Sequence, residues 1–409
     1  MRLAFHEINT VKKNIQFIAE YGRYDDLLVL MDTPCESAML NCLQKQLQQD
    51  IASMEANQDV SLLGKWLPSI NTSNAKAVMY AKRIAKAFGM TEAAYRKLLT
   101  SLRARIRIIE NNLRKKDYTF DYEKQPSRAL LKYHKAFLRN DKTRYKSFLS
   151  AVESGEKKLH ADHVAPYELV APYLDVHRTN GCFMKRISLE EKATLNATWA
   201  SLPDFGNSEN ALAVIDTSGS MYFGGEPLPA SVALSLGLYF AEHNKGTFRN
   251  HFIEFSAKPQ LIEIKGETFA DRLRYVATFN EVGNTNLEAV FDLILNAAVK
   301  HHVPQDELPT KLIIISDMEF DMCVQDASAI NFQNAQQKFI SNGYVLPLII
   351  FWNVANRNHQ QPVTQNDQGV ILISGAEPRV FSMVADGSVS PYAFMMSILN
   401  SERYASIGA

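Results

Sequence analysis

The sequence has few cysteines, and their spacing does not suit a metal site. Cys35, Cys42, Cys182 and Cys323 are the only four in 409 residues. They form no C-x-x-C pair and no histidine-containing zinc pattern. We therefore expect reduced thiols, most of them buried, as is typical of an intracellular, cytoplasmic protein.

Long apolar runs are also absent from the sequence. No stretch of about 18 uncharged apolar residues occurs, which argues against an ordinary membrane span and a membrane partner. The N-terminal stretch MRLAFHEINTVKKNIQ lacks the apolar core of a secretory signal. Because 46% of the residues are hydrophobic, the chain can bury a large core. Its length predicts two or three domains.

No excess of either charge sign exists over the whole chain, but the charges are unevenly distributed. Residues 76–146 hold 20 lysines and arginines against 6 aspartates and glutamates, whereas residues 207–409 hold 12 against 21. This asymmetry predicts either attraction between domains or a basic face for a polyanion.

Common catalytic motifs are missing as well. The sequence contains no G-x-S-x-G, Walker A, H-E-x-x-H or G-x-G-x-x-G pattern. We therefore expect a binding protein rather than an enzyme. A metal-dependent hydrolase or nuclease stays open as an alternative, because two carboxylates can hold a metal that activates water.

The pattern changes from helical to alternating along the chain. Amphipathic stretches such as SAMLNCLQKQLQQDIASM predict an all-α, helical-repeat-like domain over residues 1–178, with a helix ended by Gly89 and another capped at Thr91. RARIRIIENNLRKK is expected to form one of its short helices. A connecting segment is expected over 179–206, and it contains EEKATLNATWASLPDF.

Residues 207–409 alternate apolar strands with helices, which predicts a doubly wound α/β domain with a mostly parallel sheet. The expected strands are ALAVID, HFIEFS, KLIIISD, YVLPLIIFW and QGVILISG. Ligands of such sheets bind at the carboxyl ends of the strands.

Oxygen-bearing side chains are expected at this edge of the sheet. Asp216, Ser218 and Ser220 follow the first strand, and Asp317 follows KLIIIS. Thr285 lies in a glycine-containing turn before a helix. Such hard oxygen donors suit Mg²⁺, Mn²⁺ or Ca²⁺. An ion with few carboxylate ligands would take a further ligand from an Asp or Glu of a partner protein.

These five residues resemble the metal-ion-dependent adhesion site (MIDAS) of von Willebrand factor A domains. The resemblance implies that Ser218, Ser220 and Thr285 supply hydroxyls, while Asp216 and Asp317 act directly or through water. The alternative is a degenerate A domain in which the polar turns only cap helices.

Motifs elsewhere in the chain extend the resemblance. LLGKWLPS, RALLKYHKAFLRND, SDMEFD and FWNV resemble the family called domain of unknown function 2828. The architecture is similar to that of the Ro autoantigen (TROVE) proteins, whose helical-repeat ring binds RNA. The resemblance implies RNA as a possible partner.

Basic residues of the helical part are the candidates for phosphate contacts. They are Lys82, Arg83, Lys86, Arg103, Arg105, Arg107, Lys132 and Lys135. The alternative is that they form solvated helix faces or contact the acidic A domain.

Overall fold

The chain divides into two compact units. The computed structural model describes residues 2–106, 108–175, 177, 183–204, 210–223, 225–280, 286–317, 328–355, 370–376 and 390–408. The first unit comprises Met1–Phe120 with Met395–Ala409, and the second comprises Asp121–Phe394. The domain boundaries expected at residues 178 and 207 were drawn from the change in secondary-structure pattern, whereas these two units are defined by contacts. The expected boundaries therefore stay a prediction.

The described residues of the first unit form helices and connecting turns. The α-helices are α1 (Leu3–His6), α2 (Ile8–Asn14), α3 (Ile18–Tyr21), α4 (Glu36–Glu55), α5 (Leu63–Trp66), α6 (Ala75–Ala87), α7 (Glu92–Arg105) and α8 (Ile109–Lys115). Two 3-10 helices span Ile15–Phe17 and Tyr24–Leu30. Met39, Leu43 and Leu47 form a buried stripe on α4, as an amphipathic helix requires.

The predicted signals between α6 and α7 are confirmed. Gly89 has a φ of 67°, a left-handed conformation that favours glycine after a helix. The Thr91 hydroxyl accepts a hydrogen bond from the amide of Ala94 and so caps α7. RARIRIIENNLRKK does not form one helix, however, because α7 ends at Arg105 and α8 begins at Ile109.

A C-terminal segment completes the first unit. The side-chain amide of Asn14 donates to the Gly408 carbonyl over 2.5 Å, and the Gly408 amide donates to Asn14 Oδ1 over 3.1 Å. The Tyr21 and Ser406 hydroxyls lie 2.8 Å apart, and the Tyr21 ring lies 5.0 Å from that of Tyr404. Residues at both ends of the chain therefore share one packed unit.

The second unit combines helices with a six-stranded sheet. Its α-helices are α9 (Ser127–Asn140), α10 (Lys142–Glu153), α11 (Tyr167–Val170), α12 (Leu189–Ala200), α13 (Pro229–His243), α14 (Phe269–Val276), α15 (Leu287–His301) and α16 (Ser328–Ser341). A further helix, α17 (Pro391–Leu399), begins at the end of this unit. Among the described residues of this unit, 3-10 helices span Ala171–Tyr173, Gly219–Tyr222 and Gln305–Glu307, and a further 3-10 helix, Glu402–Tyr404, lies in the C-terminal segment of the first unit.

The sheet is doubly wound, as predicted. Its strands are β1 (Ala211–Asp216), β2 (His251–Phe255), β3 (Gln260–Glu263), β4 (Lys311–Ser316), β5 (Leu348–Asn353) and β6 (Val370–Ser374). They lie in the order β3-β2-β1-β4-β5-β6, and β3 alone among them runs antiparallel to its neighbour. The chain reverses its direction of winding between β1 and β4, which places the topological switch point there.

Strands β1 and β4 are buried over their whole length, because helices cover both faces of a parallel sheet. Gly237 allows α13 to approach β1 closely, since a Cβ atom at that position would collide with the Ile215 side chain. This packing fixes the strand that ends in Asp216.

The segment expected as a connection contains helix α12. Its N-terminus has a capping box in which Ser188 and Glu191 satisfy each other's backbone amides. The Trp199 ring stacks on Phe269 with the ring centroids 4.1 Å apart, and its indole nitrogen donates to Glu242. Helix α12 is therefore an integral part of the second unit.

Candidate metal centre

The predicted site lies at the carboxyl ends of β1 and β4. Ile215 and Ile315 are register partners, so Asp216 and Ser316 end adjacent strands, and Asp317 follows directly. Asp216 and Asp317 are buried, with 4% and 5% of their surface exposed. The sheet therefore brings both predicted carboxylates to the switch point, where ligands of this fold class bind.

The turn after β1 brings the two serine hydroxyls together. The Ser218 amide donates to Asp216 Oδ1 over 2.9 Å, which draws the turn back toward the strand end. The Oγ atoms of Ser218 and Ser220 lie 3.0 Å apart, and both residues are half-buried. Tyr222 is buried behind them and stacks on Phe183 with the ring centroids 3.9 Å apart. The hydroxyl pair is thus held on a packed turn rather than on a free loop.

Asp216 receives donors on both carboxylate oxygens. The Ser316 hydroxyl donates to Oδ2 over 2.5 Å, a length typical of a hydrogen bond to a charged oxygen. Burial raises the pKa of Asp216 to about 6, although the hydrogen bonds from Ser316 and Ser218 oppose this rise. The neighbouring Asp317 raises the pKa further. A nearby cation would favour the ionised form.

The chemistry and spacing of these groups fit a small divalent cation. Neighbouring ligands at about 2.1 Å in an octahedral Mg²⁺ site are separated by about 3.0 Å. Ser218 Oγ and Ser220 Oγ already have a separation of 3.0 Å. Among the described residues, no group of three or more His, Cys, Asp or Glu side chains could hold a metal. The candidate site therefore depends on hydroxyls together with the two carboxylates.

The fifth predicted ligand, Thr285, lies outside the described residues. The next residue, Asn286, donates its backbone amide to the carbonyl of Ser256, which follows β2. The Asn286 side chain caps α15 by accepting from Ala289. The start of α15 therefore lies at the same edge of the sheet as the ends of β1 and β4.

Two polar residues beside the site were not predicted from the sequence. Ser316 donates a hydrogen bond to Asp216. The feature of the sequence that could have indicated it is a hydroxyl residue directly before Asp317, at the end of an apolar strand. Glu254 is 2% exposed on β2, opposite Ile215, and lies 3.5 Å from the Thr217 hydroxyl. The feature of the sequence that could have indicated Glu254 is a single carboxylate inside the otherwise apolar stretch HFIEF.

The candidate phosphate-binding residues of the first unit mostly contact protein groups. Arg103 donates to the Gly64 and Leu67 carbonyls and to Ser69. Its guanidinium therefore holds the turn that follows α5. Arg83 forms ion pairs with Asp32 and Glu36, and Lys82 forms one with Glu92.

The remaining basic candidates are divided between the two units. Arg105 donates to Asn57, whereas Lys86 is exposed. Arg107 lies outside the described residues. In the second unit, Lys135 forms an ion pair with Glu191, and the Lys132 ammonium lies 5.0 Å from the Tyr133 ring centroid.

Two family models match parts of the chain. Residues 89–204 match "Domain of unknown function (DUF2828)", which confirms the resemblance predicted for this region. Residues 210–391, which include the sheet and the candidate site, match "Domain of unknown function (DUF7788)".

The chain is similar over most of its length to a viral protein. "Uncharacterized protein L728" of Acanthamoeba polyphaga mimivirus is 28% identical, over 97% of this chain and 74% of that protein. The Deinococcus radiodurans RO (RSR) protein, known from a crystal structure, is 14% identical in sequence to this chain. The two structures align with a TM-score of 0.42, over 83% of this chain and 71% of that one. Within the described residues, no helix is both long and apolar enough to span a bilayer.

Proposed function

We propose that the second unit is a metal-dependent binding module that captures an acidic side chain of a partner protein. Ser218 and Ser220 would hold Mg²⁺ or Mn²⁺ through their hydroxyls, with Thr285 as a third hydroxyl. The observation that supports this most directly is the 3.0 Å spacing of the two serine Oγ atoms beside the buried Asp216.

The hydrogen bonds of Asp216 favour a supporting role for it. Both of its oxygens already accept protein donors, so we propose that Asp216 acts through water, and that Asp317 supplies the second negative charge. Because the direct ligands are neutral hydroxyls and Asp216 acts through water, the cation stays electrophilic. A bound divalent cation would therefore favour a carboxylate oxygen from outside.

Ser218→Ala and Asp216→Ala test whether these two residues hold the metal. We expect each substitution to weaken Mn²⁺ binding at least tenfold, because one removes a ligand and the other removes the buried negative charge. Isothermal titration of the full chain with Mn²⁺ and with Mg²⁺ measures the effect. Thermal unfolding of each variant reports whether the fold persists.

Ser231→Ala is the matched control, because Ser231 is also buried in this unit but donates only to a backbone carbonyl. Its Mn²⁺ affinity should equal that of the unmodified chain. If Asp216→Ala and Ser231→Ala bind Mn²⁺ with equal affinity, the assignment of the metal site is wrong. Cleavage of labelled RNA or DNA with Mn²⁺ would instead favour a hydrolase.

A second candidate function, binding of a nucleic acid, is favoured by one helix. Arg128, Lys132, Lys135 and Arg139 are exposed on α9 at steps of four, three and four residues, which places them along one face. Arg128 and Lys135 form ion pairs with neighbouring helices. Among the described residues, Lys132 and Arg139 form no ion pair, so their charges are available to phosphates.

A further inference from the structure

A cleft lies at the same edge of the sheet as the candidate metal centre. Its volume is about 490 Å³, and it is lined by the loop Gly225–Pro229 and by the ends of β5 and β6. A cavity of this size falls in the range of ordinary ligand sites. The cleft shares no residue with the metal centre, and the mechanism proposed above does not use it.

The strand register sets the distance between the cleft and the metal centre. Ser316 at the end of β4 pairs with Asn353 at the end of β5, and Asn353 pairs with Ser374 at the end of β6. Neighbouring strands are separated by about 4.8 Å, so Asn353 lies two strands, or about 10 Å, from Asp216. An extended peptide covers about 10 Å with three residues, and its side chains alternate between two faces, so residues two or four apart point to the same side and bracket this distance.

One loop joins the two places. Ser218 and Ser220 begin it, and Glu226 and Pro227 line the cleft a few residues later. Between them lies Phe223, whose surface is 55% exposed. Exposed aromatic rings are enriched in protein interfaces, so Phe223 offers an apolar contact beside the metal centre.

Among the lining residues that the structure describes, one is charged, and its charge is negative. This residue is Glu226, and it forms no ion pair within the described part of the chain. Asn353 and Ser374 add polar groups. A basic side chain is therefore favoured in the cleft, whereas an acidic one is repelled.

From this geometry, and resting on the proposed function, we infer that the partner is a protein with an extended segment that presents two charges. Its acidic side chain binds the metal, and a lysine or arginine two or four residues away, on the same face of the extended segment, enters the cleft and pairs with Glu226. The separation of the two charges, rather than the acid alone, then provides specificity.

The test uses synthetic nonapeptides of alanine and serine with one fixed aspartate. Each peptide contains a single lysine, and its position varies across the set from five residues before to three residues after the aspartate. A second set with the reversed sequences covers the opposite direction. Binding to the full chain is measured by fluorescence anisotropy with Mg²⁺ and with chelator. We expect tightest binding when lysine lies two or four residues from aspartate on one side, at least tenfold tighter than with alanine there.

Two variants examine the cleft without touching the metal ligands. Glu226→Gln should reduce the advantage of lysine below threefold, and Ser374→Trp should remove it by filling the cleft. Leu372→Trp is the matched control, since Leu372 is exposed on the same strand and outside the cleft. All three should keep the Mn²⁺ affinity of the unmodified chain.

The outcomes separate the two proposals. Metal-dependent binding of aspartate peptides that does not depend on the lysine position, or that is equal in Glu226→Gln and the unmodified chain, would overturn the cleft assignment and leave the metal-dependent capture intact. Peptide binding that persists in chelator would overturn the proposed function, and the cleft assignment with it.

Discussion

Ser316 is expected to have a large effect on the candidate metal centre, although it is not one of the proposed ligands. Its hydroxyl donates to Asp216 Oδ2 and so fixes the orientation of that carboxylate. Groups that orient ligands in this way often change metal affinity 10- to 100-fold. The apolar strand β4 positions Ser316 because its side chains are buried on both faces.

Ser316→Ala should therefore weaken Mn²⁺ binding about 10-fold or more, because Asp216 loses the donor that holds it. Titration calorimetry measures the affinity. Ser235→Ala is the control, since Ser235 is equally buried and its hydroxyl donates only to the Val232 carbonyl. If the two variants bind Mn²⁺ with the same affinity, Ser316 has no positioning role.

Glu191 connects several elements of the second unit at the start of α12. It accepts hydrogen bonds from the amide and hydroxyl of Ser188 and forms a 2.9 Å ion pair with Lys135 of α9. Burial alone would raise the pKa of Glu191, but Lys135 and Ser188 outweigh it and bring the pKa to about 2. The carboxylate therefore stabilises the fold only in its ionised form.

The resulting stabilisation should be present above about pH 4.5 and should disappear as the pH falls toward 2, because the folded state then has to bind a proton it disfavours. We expect Glu191→Gln to lose about 1–3 kcal/mol of unfolding free energy at pH 7, a range that allows for the exposure of Lys135. Its stability should also change less between pH 5 and 2. Urea unfolding at several pH values tests this, with Glu190→Gln as a neighbouring control, and equal pH profiles would contradict it.

Elements differ in how far their sequence determines them. Strands β1 and β4 were predicted because a fully apolar segment has few alternatives to a buried strand. Strand β3 was not, because Gln260–Glu263 is a short, half-exposed edge. The predicted ends of β1 and β4 put Asp216 and Asp317 at the same edge of the sheet, where the structure also has them. Charge pattern alone could not show that Arg103 turns back to bind the carbonyls of Gly64 and Leu67, because this contact depends on tertiary packing.

Over the whole molecule, the uneven charge distribution makes polyanion binding testable. The basic stretch 76–146 extends over both compact units, although many of its charges pair internally. If α9 contacts RNA, Lys132→Glu/Arg139→Glu should remove about two phosphate contacts. The slope of log affinity against log salt for single-stranded RNA should then fall by about 1.4.

Anisotropy titrations from 50 to 200 mM KCl, roughly the range over which phosphate contacts weaken, measure this slope. The double variant Lys258→Glu/Lys300→Glu is the control, because it changes the net charge equally in the acidic part of the chain. A similar loss in both double variants would indicate a general charge effect rather than a site on α9.

The pairing of Asn14 with Gly408 has a consequence for biosynthesis. Residues 121–394 are synthesised after residues 1–120 and before residues 395–408, which belong to the same unit as residues 1–120. The packing around Asn14 is therefore complete only after residues 395–408 have been synthesised. A bulky group attached close to Gly408 would then loosen the packing around Asn14.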